Sequence, residues 1–342
     1  MIFDDSSNSN KDPLYIKVRD EYKRLSEWIE KNYNKNLNLL EKDAFKQRIK
    51  QQFSAGFAEL YTISTLSSRL KLNLVFPDKK EDLDVWIPND KIRIEITALT
   101  SGENGFDNSI PNFPISDYEN GFQIANNNVI DKLKASGHDV SEYIPDISSK
   151  LVLRINSSLT TKFEHIQKKI DDPSLNSLST SQSYIVVIYA GCLNLYARDV
   201  TRAHPLLEVL FAIGREKIKI DRQNLELSQL FRGSIPSNTK TTKEGDIEIP
   251  NGLFLDNKHK HISGVIYCSR SPLSIEENHP LDEELGKDFI FAHNPYASSP
   301  VRYGYIECGT EYICKLKSKS EINIETIDYE PDCEAGVICV DF

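Results

Sequence analysis

Three carboxylates in the first hundred residues, Glu59, Asp84 and Glu95, have the type and spacing that divalent-metal chemistry needs. Glu59 lies in the helical line Ala55, Glu59, Ile63 and Leu66. A carboxylate in such an apolar line is costly unless it is ion-paired or metal-bound. Asp84 and Glu95 flank a tight turn at Pro88-Asn89-Asp90. In a hairpin about that turn they lie roughly across the ladder and can project to one side, because strand side chains alternate with period two. Two carboxylates brought that close repel unless a cation sits between them. Hard oxygen donors held on rigid elements suit Mg²⁺ or Mn²⁺. Such a site activates a water and stabilises the charge that develops on a phosphate. Plainer readings stand beside this one: a structural ion pair for Glu59, and a solvated hairpin face for Asp84 and Glu95.

The elements that must position these groups follow from hydrophobic period. A charged helix is expected over 14–35, with Tyr15, Val18, Tyr22, Leu25, Trp28 and Ile29 on one face. Phe45, Ile49, Phe53, Phe57 and Leu60 recur at near-helical spacing, which predicts a helix over 41–72. The period then changes. Short strands are expected at 73–76 and 83–87. Residues 91–99 alternate cleanly, with Ile92, Ile94 and Ile96 on one face and Arg93, Glu95 and Thr97 on the other. Residues 100–122 read as a long loop and 123–136 as a helix. A strand over 150–156, a helix over 158–170 and a buried apolar strand over 183–190 complete the expected core. Beyond it, 206–213 reads as a short helix or apolar turn and 232–251 as a polar loop. Strands are expected at 262–269 and 288–292, and β-structure from 303 to the end. The fold class is therefore α/β, a mixed central sheet flanked by helices. The expected organisation is a polar tail and charged helix (1–40), a core (41–200) and a C-terminal α/β extension (201–342).

The order helix Glu, strand Asp, second-strand Glu resembles the PD-(D/E)xK nuclease superfamily, the restriction-endonuclease-like fold. The matching stretches are Phe57-Ala58-Glu59-Leu60-Tyr61, Leu83-Asp84-Val85-Trp86-Ile87 and Ile94-Glu95-Ile96-Thr97. The resemblance implies that Asp84 and Glu95 bind Mg²⁺ or Mn²⁺, with Glu59 completing the coordination. The position two beyond the Glu, a Lys in the superfamily, is Thr97 here. Some members supply the basic group from elsewhere, and Lys162 is the residue for that role, with an ordinary surface lysine as the alternative. Arg154 would contact phosphate. Later segments, Tyr184–Ala190, His261–Tyr267 and His293–Pro300, resemble a branch of bacterial proteins with this nuclease-like core. The resemblance implies a metal-dependent endonuclease, with DNA foremost among substrates, and a place in defence against phage or mobile DNA. A homodimer or a partner protein of a defence system is implied with it. The alternative is a catalytically inactive module of the same fold, serving nucleic-acid binding or assembly.

Composition sets outer bounds. The 342 residues carry a net charge of −10, which weakens a DNA-coating role. Residues 321–342 alone hold seven acids and no Lys or Arg, whereas Arg202 to Lys243 holds eight basic residues against four acidic. No apolar run reaches the ~18 residues that span a bilayer, and the acidic start is unlike a secretory signal, so a cytoplasmic protein without membrane contact is expected. Six dispersed cysteines form no Cys-x-x-Cys pair and read as buried thiols. Phosphate-cradling and dinucleotide glycine loops, the serine elbow and His-Glu-x-x-His are absent, which lowers the case for ATPases, oxidoreductases, serine hydrolases and zinc proteases. Lys258-His259-Lys260-His261 reads as a solvated loop, with phosphate contact as the alternative, and His293 as a turn-stabilising residue, with substrate contact as the alternative.

Overall fold

The cleanly alternating run is the strand beside which the helices assemble. The structure, a computed structural model, describes residues 2–3, 10–36, 38–40, 42–76, 83–100, 140–175, 178–193, 204–220, 227–234, 237–242, 245–272, 285–318 and 321–329. The expected helix over 123–136 and the loop from 101 lie outside these.

Helices α1 (Pro13–Glu21), α2 (Lys23–Lys35), α3 (Lys42–Gln51) and α4 (Phe53–Ser64) form the N-terminal layer. The expected single helices over 14–35 and 41–72 are each broken, at Tyr22 and at Gln52, where the backbone leaves helical geometry. Asp12 explains the second break. One carboxylate oxygen caps α1 at the Leu14 N–H (2.8 Å), and the other accepts the Phe53 N–H that opens α4 (2.9 Å). A π-helical turn, Thr65–Arg69, ends α4.

Strands β1 (Val85–Ile87) and β2 (Ile92–Ala98) form the expected hairpin around a 3₁₀ turn at Pro88–Asp90. Lys91 takes the left-handed conformation (φ 53°) that closes it. The expected strand at 73–76 reduces to one bridge, Val75 to Trp86. A single helix, α5 (Val140–Asp171), replaces the expected strand at 150–156 and helix at 158–170. Its buried residues Val152, Ile155, Leu159, Phe163 and Ile166 fall on one helical face. Strand β3 (Ser183–Tyr189) is wholly buried and pairs parallel with β2, so α5 is the return that a parallel pair requires.

A short helix α6 (Pro205–Phe211) comes next, capped by His204. It is followed by two antiparallel hairpins, β4 (Ile213–Ile220) with β5 (Leu227–Ser234) and β6 (Ser237–Thr242) with β7 (Gly245–Pro250). The polar loop expected at 232–251 is thus largely hairpin, because backbone ladders form without apolar side chains. Strands β8 (Gly264–Cys268), β9 (Ile290–His293), β10 (Thr310–Ser318) and β11 (Glu321–Asp328) complete a mixed seven-stranded sheet in the order β1-β2-β3-β8-β9-β10-β11. Residues beyond 201 therefore supply four of its strands.

The sheet separates two apolar clusters. Ile92, Ile94, Ile185, Val187 and Ile266 pack with α1–α4. Tyr184, Val186, Ile188 and Val265 pack with α5, α6 and Phe254. Cys268, Cys308 and Cys314 are buried free thiols. Among the described residues no helix is long and apolar enough to cross a membrane.

Candidate active site

The β1–β2 register decides how the strand carboxylates meet. Val85 pairs with Ile94 and Trp86 with Arg93, so the next residue, Asp84, stands opposite Glu95. The Asp84 N–H donates to the Ile94 carbonyl (3.1 Å), and Asp84 Oδ2 accepts the Ile96 N–H (2.6 Å). Asp84 is half-buried and Glu95 is 5% exposed. The residues of β2 that alternate with its three isoleucines face α5. From that helix Lys162 reaches Glu95, with Nζ 2.5 Å from Oε1. Its side chain keeps 28% exposure, so the ammonium lies between a buried acid and solvent.

Arg154 lies on the same helix, not on a strand. It donates to the Thr100 carbonyl (3.1 Å) and hydroxyl (2.7 Å), just beyond the end of β2. Arg154, Ser158 and Lys162 recur every four residues, one stripe of a helix. The stripe runs antiparallel to β2, with Arg154 by Thr100 and Lys162 by Glu95. Partial burial draws the Arg154 pKa downward. Thr97, in the superfamily's lysine position, is half-buried on the Glu95 side of β2.

Glu59 belongs to the other layer. It is 5% exposed on α4, and its Oε2 receives Arg48 Nη1 from α3 in an ion pair. The α4 helix packs on the isoleucine face of β2, opposite the face of Glu95. Among the described residues no group of three or more His, Cys, Asp or Glu is placed to hold a metal ion. Asp84, Glu95 and Lys162 are brought together, while Glu59 is held by Arg48.

Comparison with known proteins finds no family model, no curated protein and no solved structure that matches this chain.

Two neighbours of the acidic pair did not figure among the sequence candidates. Arg93, 4% exposed, lies over the Trp86 ring at 3.8 Å from its centroid. Both face the same side as Asp84 and Glu95, because each cross-strand pair shares a face. The alternation of 91–99 placed Arg93 on that face, but only the β1 register shows Trp86 beneath it.

The histidine-rich run is solvated only at its lysines: Lys258 and Lys260 are exposed, whereas His259 and His261 are buried. His261 Nε2 meets the Phe163 carbonyl of α5 (2.9 Å), and the His259 ring lies 5.0 Å from the Phe163 ring. Burial, with lesser contributions from Lys258 and His261, lowers the His259 pKa to about 4. His293 is also buried, its Nε2 against Oε1 of Glu311. Glu311 further accepts the Gly304 N–H (2.9 Å) and the Tyr329 hydroxyl (2.8 Å). Burial alone would raise the Glu311 pKa, but these donors outweigh it and hold the pKa low.

Proposed function

We propose that this chain is a metal-dependent phosphodiesterase of restriction-endonuclease-like architecture that cuts nucleic acid, DNA first among its substrates. One observation carries the reading: Asp84 stands opposite Glu95, and Lys162 from a separate helix meets that glutamate. The Lys162 ammonium is thus next to the acidic pair although the strand position two beyond Glu95 is Thr97. The donor set is hard oxygen, which fits Mg²⁺ or Mn²⁺. Asp84 and Glu95 would hold the cation, which when bound supplies Lewis acidity toward phosphate and a more acidic water. Lys162 Nζ lies beside Glu95, positioned to donate to an attacking water or a phosphate oxygen. Arg154 and Arg93 add positive charge along the same face, where they offset phosphate charge. The resemblance extends this to defence against invading DNA, in a homodimer or with a partner.

Calorimetric titration with Mn²⁺ tests the site directly. The wild type is expected to bind at a single site, with affinity lost or reduced by at least about tenfold in Asp84→Asn. Binding that Asp84→Asn leaves untouched would remove Asp84 from the site.

A second reading is favoured by one feature. Lys162 already compensates the Glu95 charge, so the buried acid has a cation without any metal. A catalytically inactive binding or assembly module follows from that. Mn²⁺ would then leave the melting temperature unchanged, since only a ligand of the native state raises it.

A further inference from the structure

A second charged feature lies in the N-terminal layer, on α3. A surface cavity of about 430 Å³ is lined by Lys11, Lys46, Lys50, Gln47, Gln51 and Asp43 among others. Residues 43, 46, 47, 50 and 51 recur at helical spacing and form the polar face of α3. Phe45 and Ile49 bury the opposite face.

The cavity has a fixed frame. The Asp12 N–H donates to the Lys50 carbonyl (2.9 Å), and the Asp12 carboxylate caps α1 and α4. Lys11 is thereby docked beside the last turn of α3. Two of the lysines lie against aromatic rings, Lys11 over Tyr15 (5.6 Å) and Lys46 over Tyr33 (5.8 Å). Lys46 and Lys50 are one turn apart on one helix face, and like charges at that spacing repel. Three lysines line this concavity, and among the described lining residues Asp43 is the one acid. Residues 10–51 contain eleven Lys and Arg against seven Asp and Glu, in a chain whose net charge is −10. The local field therefore opposes the global one.

We propose that this cavity binds phosphate and anchors the backbone of a nucleic acid. The assignment to nucleic acid rests on the function proposed above; the preference for an anion does not. Lysine supplies point charge suited to phosphate, and Gln47 and Gln51 add hydrogen-bonding groups. Among the described residues no lining residue is aromatic, so none of them offers a ring on which a base could stack. Recognition would follow charge and not sequence.

The test uses the full chain, with chelator present so that binding is read without cleavage. Fluorescence anisotropy of a labelled DNA duplex is measured across a salt series for wild type, Lys46→Gln/Lys50→Gln and Lys46→Glu/Lys50→Glu. Circular dichroism confirms that each variant is folded. The Gln pair is expected to weaken binding and to lower the slope of log K on log salt by about 2, one counterion equivalent per lost contact. The Glu pair should weaken binding further. An unchanged affinity and slope in both folded variants overturns the proposal. So does a wild type that binds inorganic phosphate but no DNA, because the backbone assignment then fails. Lysine-dependent DNA binding by a protein that cuts nothing with any metal leaves this site standing and removes the nuclease reading. Cutting that persists unchanged in both variants, with unchanged binding, removes this site alone.

Discussion

Lys162 and Glu95 are joined across 67 positions of sequence, and neither is comfortable without the other. Replacing Lys162 with Met keeps the apolar stem and deletes the ammonium, leaving a carboxylate that is 6% exposed at its side chain without that cation. Removing one partner of a buried pair costs about 3 kcal/mol. Chemical denaturation of Lys162→Met should show a loss of that order, and adding Glu95→Gln should recover most of it. An additive double mutant would mean that the pair contributes nothing. The buried histidines make a separate prediction. The folded-state pKa of His259 is lowered from 6.5 to about 4 by burial first, then by Lys258 and His261, with Asp256 and Glu164 opposing. Its contribution is therefore complete above 6.5 and lost as pH falls toward 4, because the unfolded chain takes up the proton first. Thermal unfolding across that range should show a decline that is shallower in His259→Phe, which keeps a ring against Phe163. Glu311, also lowered, loses its contribution at more acidic pH, below the usual carboxylate value. At this scale the sequence was partly legible. Period-two alternation and one turn put Asp84 across from Glu95. The Arg48 contact of Glu59 crosses between helices, which intrachain period does not reveal.

Helix α5 carries two of the three basic residues of the candidate site, Arg154 and Lys162, and its helicity sets their relation. Eight residues of helix separate Arg154 from Lys162 by about 12 Å along one face. A strand followed by a helix would have given no such stripe. The run Leu151-Val152-Leu153-Arg154-Ile155 suits a strand by composition, yet its buried members also fit the helical period, and short apolar runs carry that ambiguity. Ser157, Ser158, Thr160 and Thr161 resemble a helix start for the same reason. In the structure Thr161 Oγ1 instead donates to the Ser157 carbonyl (2.9 Å), one turn back within the helix. Phe163, fully buried, stacks on Phe254 at 5.8 Å. Phe163→Ala should destabilise by about 3–5 kcal/mol, measured by denaturant unfolding. It should also weaken any Lys162-dependent activity, because it loosens the helix next to that lysine. The α3–α4 packing predicts another loss. A Cβ at Gly56 would lie 2.7 Å from Ile49 Cα. Gly56→Val should therefore cost about 1–3 kcal/mol through overpacking. A variant as stable as wild type would show that the two helices separate freely.

Across the whole molecule, one sheet joins the two halves of the chain. The α/β class, the β1–β2 hairpin and the buried β3 were legible because each has a strong local period. That β8–β11 extend the same sheet depends on pairings between distant residues, such as Ile185 with Gly264, which no local pattern specifies. The sheet also separates two layers. Asp84, Glu95, Lys162 and Arg154 lie on the α5 side, and the lysine cavity lies in the N-terminal helices. The central claim is that the Asp84–Glu95–Lys162 cluster is a hydrolytic site. Its most direct test is incubation of plasmid DNA, single-stranded DNA and RNA with purified wild type and Glu95→Ala, each with Mg²⁺, with Mn²⁺ and with chelator. The expected result is metal-dependent cutting of at least one substrate, abolished in Glu95→Ala and by chelator. Cutting that survives Glu95→Ala, or an inert wild type under every condition, would contradict it.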